Sequence, residues 1–279
     1  MNEPVFFDRQ QPADAVRASM REASDVLKRR GNLALLTTTL LFCLLVTFTW
    51  FTVMQLVGLL FDYILLSVEA EQISPLLEGL WMLLSALLFL VGVMPAWLGR
   101  LRMTGLLLSG DHPMAREVLY YYTSPRRMGR AILMGLFIAF EVMLPAVLSL
   151  GAFVGALALY NEVLVFYLPD ALAVLALICG FLLAIAITVL LLFLSGLYLL
   201  STAIAVGNES MPVWKSFTEA FRFGKKNLLA TFLFSIRSLW HLVLSLCTFG
   251  VLFVFWYAHH YNLSYLRLSM ALTKGVDPS

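Results

Sequence analysis

Charge is what this chain has least of. Only 13% of its 279 residues are Asp, Glu, Lys or Arg, while 61% are hydrophobic and the mean hydropathy is +0.88. A soluble globular domain carries about 25% charged and about 45–50% apolar residues, so that class is excluded. The apolar excess is more than one core can hide, and lipid must act as solvent for much of the surface. Cysteine is scarce as well. Cys43, Cys179 and Cys247 lie within or beside apolar runs and share no ligand spacing, so they read as small packing residues rather than a disulfide or a zinc site. Motifs of chemistry are also missing: there is no Gly-rich phosphate loop, no HExxH and no GxSxG. The expectation is a protein that is not an enzyme, with no cofactor, no metal and no nucleic-acid partner. Within the polar first 30 residues there is no short apolar core with a cleavage site, so the first membrane helix is expected to be an uncleaved anchor.

What the chain does have is long apolar runs. They predict an all-α, polytopic membrane helix bundle with six spans at about 33–61, 79–99, 131–157, 171–200, 228–248 and 251–271. An N-terminal segment, residues 1–32, precedes them and a short polar tail, 273–279, follows. Trp81 and Trp97 stand near the two ends of the second span, as interfacial aromatics would, and Arg100 and Arg102 close it. Gly180, Ser195 and Gly196 offer small surfaces for close helix approach.

Short amphipathic segments stand before the odd-numbered spans. Residues 12–30 place Val16, Met20, Ala23 and Leu27 on one stripe, with Arg17, Arg21 and Lys28 off it. After Gly110-x-x-Pro113, a helix from Met114 to Tyr122 presents Val118, Tyr121 and Tyr122. In MPVWKSFTEAFRFGKKN, Trp214, Phe217 and Phe221 fall on one side, opposite Lys215, Glu219 and Arg222. Each segment ends in a basic junction: Arg29-Arg30, Arg126-Arg127 or Lys225-Lys226. These helices are expected in the interface plane, with the junctions and the Trp214, Phe217 and Phe221 set as anchors, and anionic lipid as the partner. Arg29 and Arg127 are 98 residues apart, and Arg127 and Lys226 are 99 apart. That near-constant period predicts three copies of one unit: in-plane helix, basic anchor, two spans.

The connections after the first, third and fifth spans contain no Lys or Arg. Both termini are therefore expected on the cytoplasmic side of the cell membrane.

Two charges escape that pattern. Glu141 and Arg237 each lie roughly 16–20 Å along a span from its basic junction, where a lone charge costs on the order of 2.5–3.5 kcal/mol. Opposite signs at similar depth predict that they pair. His241 lies one turn beyond Arg237, and His259 and His260 sit at comparable depth in the last span. The set is open to two readings: a polar pocket, proton relay or ion path, or an ion pair with hydrogen bonds that specify how helices pack. Pro145, four residues after Glu141, is expected to kink the third span.

The run LKRRGN before the first span, Gly110-x-x-Pro113 with its short helix, SFTEAFRFGKKN and FGVLFVFWYAHHYNLSYLRLSMAL together resemble a broad bacterial group. These are six-helix integral membrane proteins, a domain of unknown function related to the membrane domain of some glycerophosphodiester phosphodiesterases. The resemblance covers nearly the whole chain. It implies a polytopic inner-membrane protein with cytoplasmic in-plane helices and no established chemistry. Where that group usually has Pro-Tyr in the last span, this chain has Trp256-Tyr257. The first expectation for function is a scaffold or modulator of a process at the cytoplasmic membrane face. The alternative is a small transporter or channel built on Glu141, Arg237 and His241. A protein partner and the oligomeric state stay open.

Overall fold

The computed structural model describes residues 12–67, 74–248 apart from 165, 167 and 168, and 251–273 apart from 252. The expected turn at Gly250, the tail beyond Thr273 and the first eleven residues lie outside this set. Among the described residues there is helix and no strand. The helices are α1 (Pro12–Lys28), α2 (Asn32–Ser67), α3 (Ser74–Gly92), α4 (Met94–Ser109), a 3₁₀ helix (Ala115–Thr123), α5 (Pro125–Leu159), α6 (Asp170–Ser195), α7 (Ser201–Gly207), α8 (Val213–Lys226), α9 (Leu228–Cys247) and α10 (Ala258–Thr273), the last preceded by a π-helical turn, Phe253–Tyr257.

Local sequence explains where these elements begin and end. Ser124 caps α5 by accepting a hydrogen bond from the Arg127 N–H at 3.3 Å, and Pro125 occupies the first turn, where its missing N–H costs nothing. Gly110 ends α4 with φ +89°, a left-handed conformation open to glycine, and its N–H returns to the carbonyls of Leu106 and Leu107. The break between α3 and α4 falls at Val93, two residues before Pro95. There Tyr122 donates to the Gly92 carbonyl at 2.6 Å.

Four stretches are long and apolar enough to cross a membrane: Asn32–Leu60, Leu77–Ser109, Pro125–Glu162 and Ala171–Ser195. At about 1.5 Å per residue, α2 and α5 are far longer than a hydrocarbon core of about 30 Å. The second stretch runs ten residues past the expected end at Gly99. Arg100 and Arg102 therefore sit within it, because Met103 to Leu108 continue the apolar run. The expected fifth and sixth spans are not among the four. α9 carries Ser235, Arg237, Ser238 and His241 within its 20 residues, and α10 has only 16.

The molecule divides into rods and a base. The rods are the far parts of α2 and α5 together with α3 and α6. Their leucines and phenylalanines point outward: Leu45, Phe48, Leu80, Phe140, Val147, Leu182 and Leu183 are all exposed. The base holds the core. In one cluster Val16 and Met20 of α1 meet Leu98 and Leu101 of α4, Ala220 and Phe223 of α8, Phe234 of α9, and Leu266 and Leu268 of α10. In a second, Ala23, Val26 and Leu27 of α1 meet Leu36 of α2, Met103 of α4, Val118 and Leu263.

Three pairings organise the base: the 3₁₀ helix packs on α4, α8 on α7, and α1 on α10. Glycine permits the first of these, and also lets α8 approach the turn that precedes α7. A Cβ at Gly99 would lie 2.1 Å from the Val118 carbonyl oxygen, and one at Gly224 would lie 2.2 Å from that of Leu197. The α1 stripe of Val16, Met20, Ala23 and Leu27 is buried as a set, but against protein rather than lipid, and Glu22 holds Arg267 of α10 in a two-pronged ion pair. α8 packs on protein through a different face from its aromatic one. Its buried face is Val213, Ser216, Ala220, Phe223 and Gly224, while Trp214 is 64% exposed and Phe221 40%. Small residues allow the close approach to Leu197. The large aromatics instead form a shelf, Phe217 stacking on Tyr198 at 4.5 Å and lying 4.9 Å from Phe137.

Candidate functional site

Between the rods and the base lies a cavity of about 910 Å³. Its wall comes from α4 (Trp97, Arg100), α5 (Glu141, Pro145, Ser149), α6 (Thr188, Leu191, Ser195) and the π turn with α10 (Tyr257, Tyr261, Asn262, Tyr265). Glu141 and Pro145 belong together chemically. Proline has no N–H to give the carbonyl four residues back, and that carbonyl is Glu141's own. The Glu141 carboxylate accepts a hydrogen bond from the Ser201 hydroxyl at 2.6 Å. Tyr265 is fixed nearby by donating to the Leu199 carbonyl while accepting from the Ala203 N–H at 3.3 Å.

The expected Glu141–Arg237 ion pair is not formed. Arg237 is exposed on α9, and among the described residues neither side chain has an ion-pair partner. Depth along a helix was common to the two residues; direction around it was not. The five side chains expected to cluster are distributed over three places. Glu141 lines the cavity. Arg237, His241 and His260 gather on the other side of α10: the rings of His241 and His260 stack at 6.2 Å, Trp256 stacks on His260 at 5.9 Å, and His260 Nε2 donates to the Met20 carbonyl of α1 at 3.1 Å. His259 points elsewhere again, into a fully buried contact with Arg100.

That contact is the residue pair that sequence reasoning missed. Arg100 is 0% exposed, and its Nη2 donates to His259 Nδ1 at 2.8 Å. A guanidinium has only donors, so Nδ1 must accept; the ring is the neutral tautomer with hydrogen on Nε2. That hydrogen is shared with the Thr37 hydroxyl of α2 at 3.1 Å. Arg100 Nε and Nη1 are buried and find no acceptor among the described residues. A signal was present: Arg100 has apolar residues on both sides, Trp97-Leu98 and Met103 to Leu108, which marks an intrahelical charge rather than a flanking one.

Comparison with known proteins returns no matching family model, no matching curated protein and no matching solved structure. The site therefore has to be read from its own chemistry.

The base carries a second polar network, outside the long apolar stretches apart from Arg102 and two residues of α5. Arg102 bridges Glu117 at 2.6 Å and Glu209 at 2.7 Å, and Glu209 also accepts from Tyr120. The guanidinium carbons of Arg102 and Arg127 lie 3.8 and 4.1 Å from the Tyr120 ring centre. Burial pulls the Glu209 carboxyl up, but the hydrogen bonds from Tyr120 and Arg102, with the neighbouring guanidinium charges, hold it below the ordinary carboxylate range. Burial pushes the Tyr121 phenol up to about 12. Arg130 donates to three carbonyls beyond and within the end of α7: Met211 at 2.6 Å, Ala205 at 2.7 Å and Asn208 at 2.9 Å. These tie the α5 entry to the α7–α8 turn. Among the described residues, no three His, Cys, Asp or Glu side chains gather as a metal site.

Proposed function

We propose that this chain is a non-catalytic, multi-pass cell-membrane protein that takes a small amphipathic molecule into the cavity lined by Glu141, as a carrier or receptor rather than as a pure scaffold. One observation carries the reading: Glu141 borders a space of about 910 Å³ instead of being closed off by Arg237. Ligand cavities are concave, mostly apolar, carry a few placed polar groups and span about 300–1,000 Å³. An ion pair kept only for packing would have left the carboxylate paired.

In this reading α9 and the last helical stretch complete six spans, and both termini are cytoplasmic. The exposed Arg29, Arg30, Arg126, Lys225 and Lys226 then face anionic headgroups. The three-copy unit fits the packing of the base. Each short helix lies on the second half of the preceding hairpin: the 3₁₀ helix on α4, α8 on α7, and α1 closing the ring on α10. The resemblance to uncharacterised six-helix bacterial membrane proteins agrees with this topology.

The test is thiol labelling in a chain with Cys43, Cys179 and Cys247 replaced by alanine. A Ser149→Cys variant should react with a membrane-impermeant maleimide, while Met134→Cys, at a 2% exposed position, should stay silent. Failure of Ser149→Cys to react would return the molecule to the scaffold reading.

A further inference from the structure

We infer that the cavity holds an anionic amphiphile, an apolar chain ended by a carboxylate or phosphate, and that Arg100 is the residue that takes its head group. This rests on the cavity being a ligand site and names what enters it.

The argument is one of charge that cannot be removed. Two ionisable groups on the cavity wall lack a partner of opposite sign among the described residues, Glu141 and Arg100. They are not equivalent. A carboxylate surrounded by apolar groups can take up a proton and become neutral, whereas arginine stays charged in proteins. Its side-chain hydrogen-bond partner among the described residues, His259, accepts as a neutral imidazole and supplies no negative charge. Thr37, beyond it, is also neutral. What remains is a fully buried cation whose Nε and Nη1 donors have no acceptor among the described residues. A buried charge needs a partner that is both opposite in sign and able to accept hydrogen bonds. Among the described residues the chain supplies none.

The same wall states what the rest of the ligand must be. Leu98, Leu101, Ile138, Leu191 and Leu199 line the cavity, so it suits a hydrocarbon chain and not a free inorganic anion. His259, itself bonded to Thr37, holds the guanidinium through Nη2, and Nε and Nη1 are the donors that a head group would engage. Arginine recognises carboxylate and phosphate through charge-assisted hydrogen bonds.

The full chain, purified in a neutral maltoside detergent, is offered four probes: oleate, lysophosphatidic acid, lysophosphatidylcholine and dodecyltrimethylammonium. Retention is read by native mass spectrometry. Oleate, lysophosphatidic acid or both should be held at least about tenfold better than the other two; which of the anions is held separates a fatty-acid from a phospholipid source. Arg100→Gln should abolish that preference, Arg100→Lys should keep part of it, and Leu183→Ala, on the outer face of α6 away from the cavity, should leave it intact. Equal retention of lysophosphatidylcholine, or an unchanged preference in Arg100→Gln, overturns the inference. If Arg100→Gln does not fold, the head-group order in the unaltered chain and in Arg100→Lys still decides. Protection of Ser149→Cys by the cationic or zwitterionic probe alone would sink the role of Arg100 and keep the cavity as a ligand site. Absence of protection by any probe would sink both.

Discussion

The rods and the base of this molecule are built on opposite rules. In the rods, large apolar side chains point outward even where helices pair, as α5 does with α6; Leu183 of α6 is 63% exposed. In the base, helices meet so closely that glycine backbones touch, and arginines are spent on internal contacts. The difference follows from solvent. Lipid receives a leucine as well as another leucine would, so the rods gain little from mutual burial. The base carries the polar network, the helix ends and the turns, and every backbone and side-chain polar group there needs a partner. The cavity sits where the rules change, and for that reason it has apolar walls and a few charged ends.

Substitutions that treat both regions alike should break or sharpen this contrast. The largest expected effect is at Phe234, 0% exposed at the centre of the base. Phe234→Ala should cost about 3–5 kcal/mol, whereas Leu183→Ala should stay within about 0.5 kcal/mol, as followed by unfolding in lipid nanodiscs. Similar losses at both would remove the distinction.

Next is Arg130. Arg130→Gln should cost about 1.5–3 kcal/mol by freeing the three carbonyls at the α7–α8 turn, and Arg130→Lys should recover only part, because one ammonium cannot reproduce the fork. Limited proteolysis between Gly207 and Pro212 is the readout. Unchanged cleavage in both variants would show that the clamp carries no weight.

Glycine provides the contrast in sign. Gly99→Ala and Gly224→Ala must push backbone away and should destabilise by about 1–3 kcal/mol. Gly151→Ala and Gly155→Ala, with nothing within 4 Å of the added methyl, should be neutral or stabilising by up to about 1 kcal/mol. Thermal midpoints moving in the same direction for all four would contradict the packing described.

The smallest effect is that of pH on the base. The Glu209 carboxyl is held below its ordinary range when folded, so its contribution is complete above that range and is lost as pH falls through the lower native value. The gap in midpoint between the unaltered chain and Glu209→Gln should be full near about pH 6 and close towards about pH 3. A gap that widened with acid would reverse the assignment.

Several of these features were legible in the sequence, and for identifiable reasons. The α1 stripe could be read because its buried residues, Val16, Met20, Ala23 and Leu27, are also its apolar ones. The buried face of α8 could not, because Ser216, Ala220 and Gly224 are buried for their small size and apolarity does not mark them. The partner of Glu141 was misjudged because depth in a span leaves the direction around the helix undetermined. Arg100 was assigned to the end of a span because a charge beside a glycine looks like a boundary, yet the helix runs on for nine more residues, to Ser109.

By itself the sequence determined the class of solvent, the helical character and the approximate places of four long apolar stretches, because these depend on composition and on runs of neighbours along the chain. Only the tertiary structure decided which faces meet. It docked α1 on α10 in place of lipid, turned Arg237 away from Glu141, and buried Arg100 against His259, 159 residues away. Those outcomes depend on the angular direction of side chains around helices and on contacts between distant segments, which hydropathy does not encode.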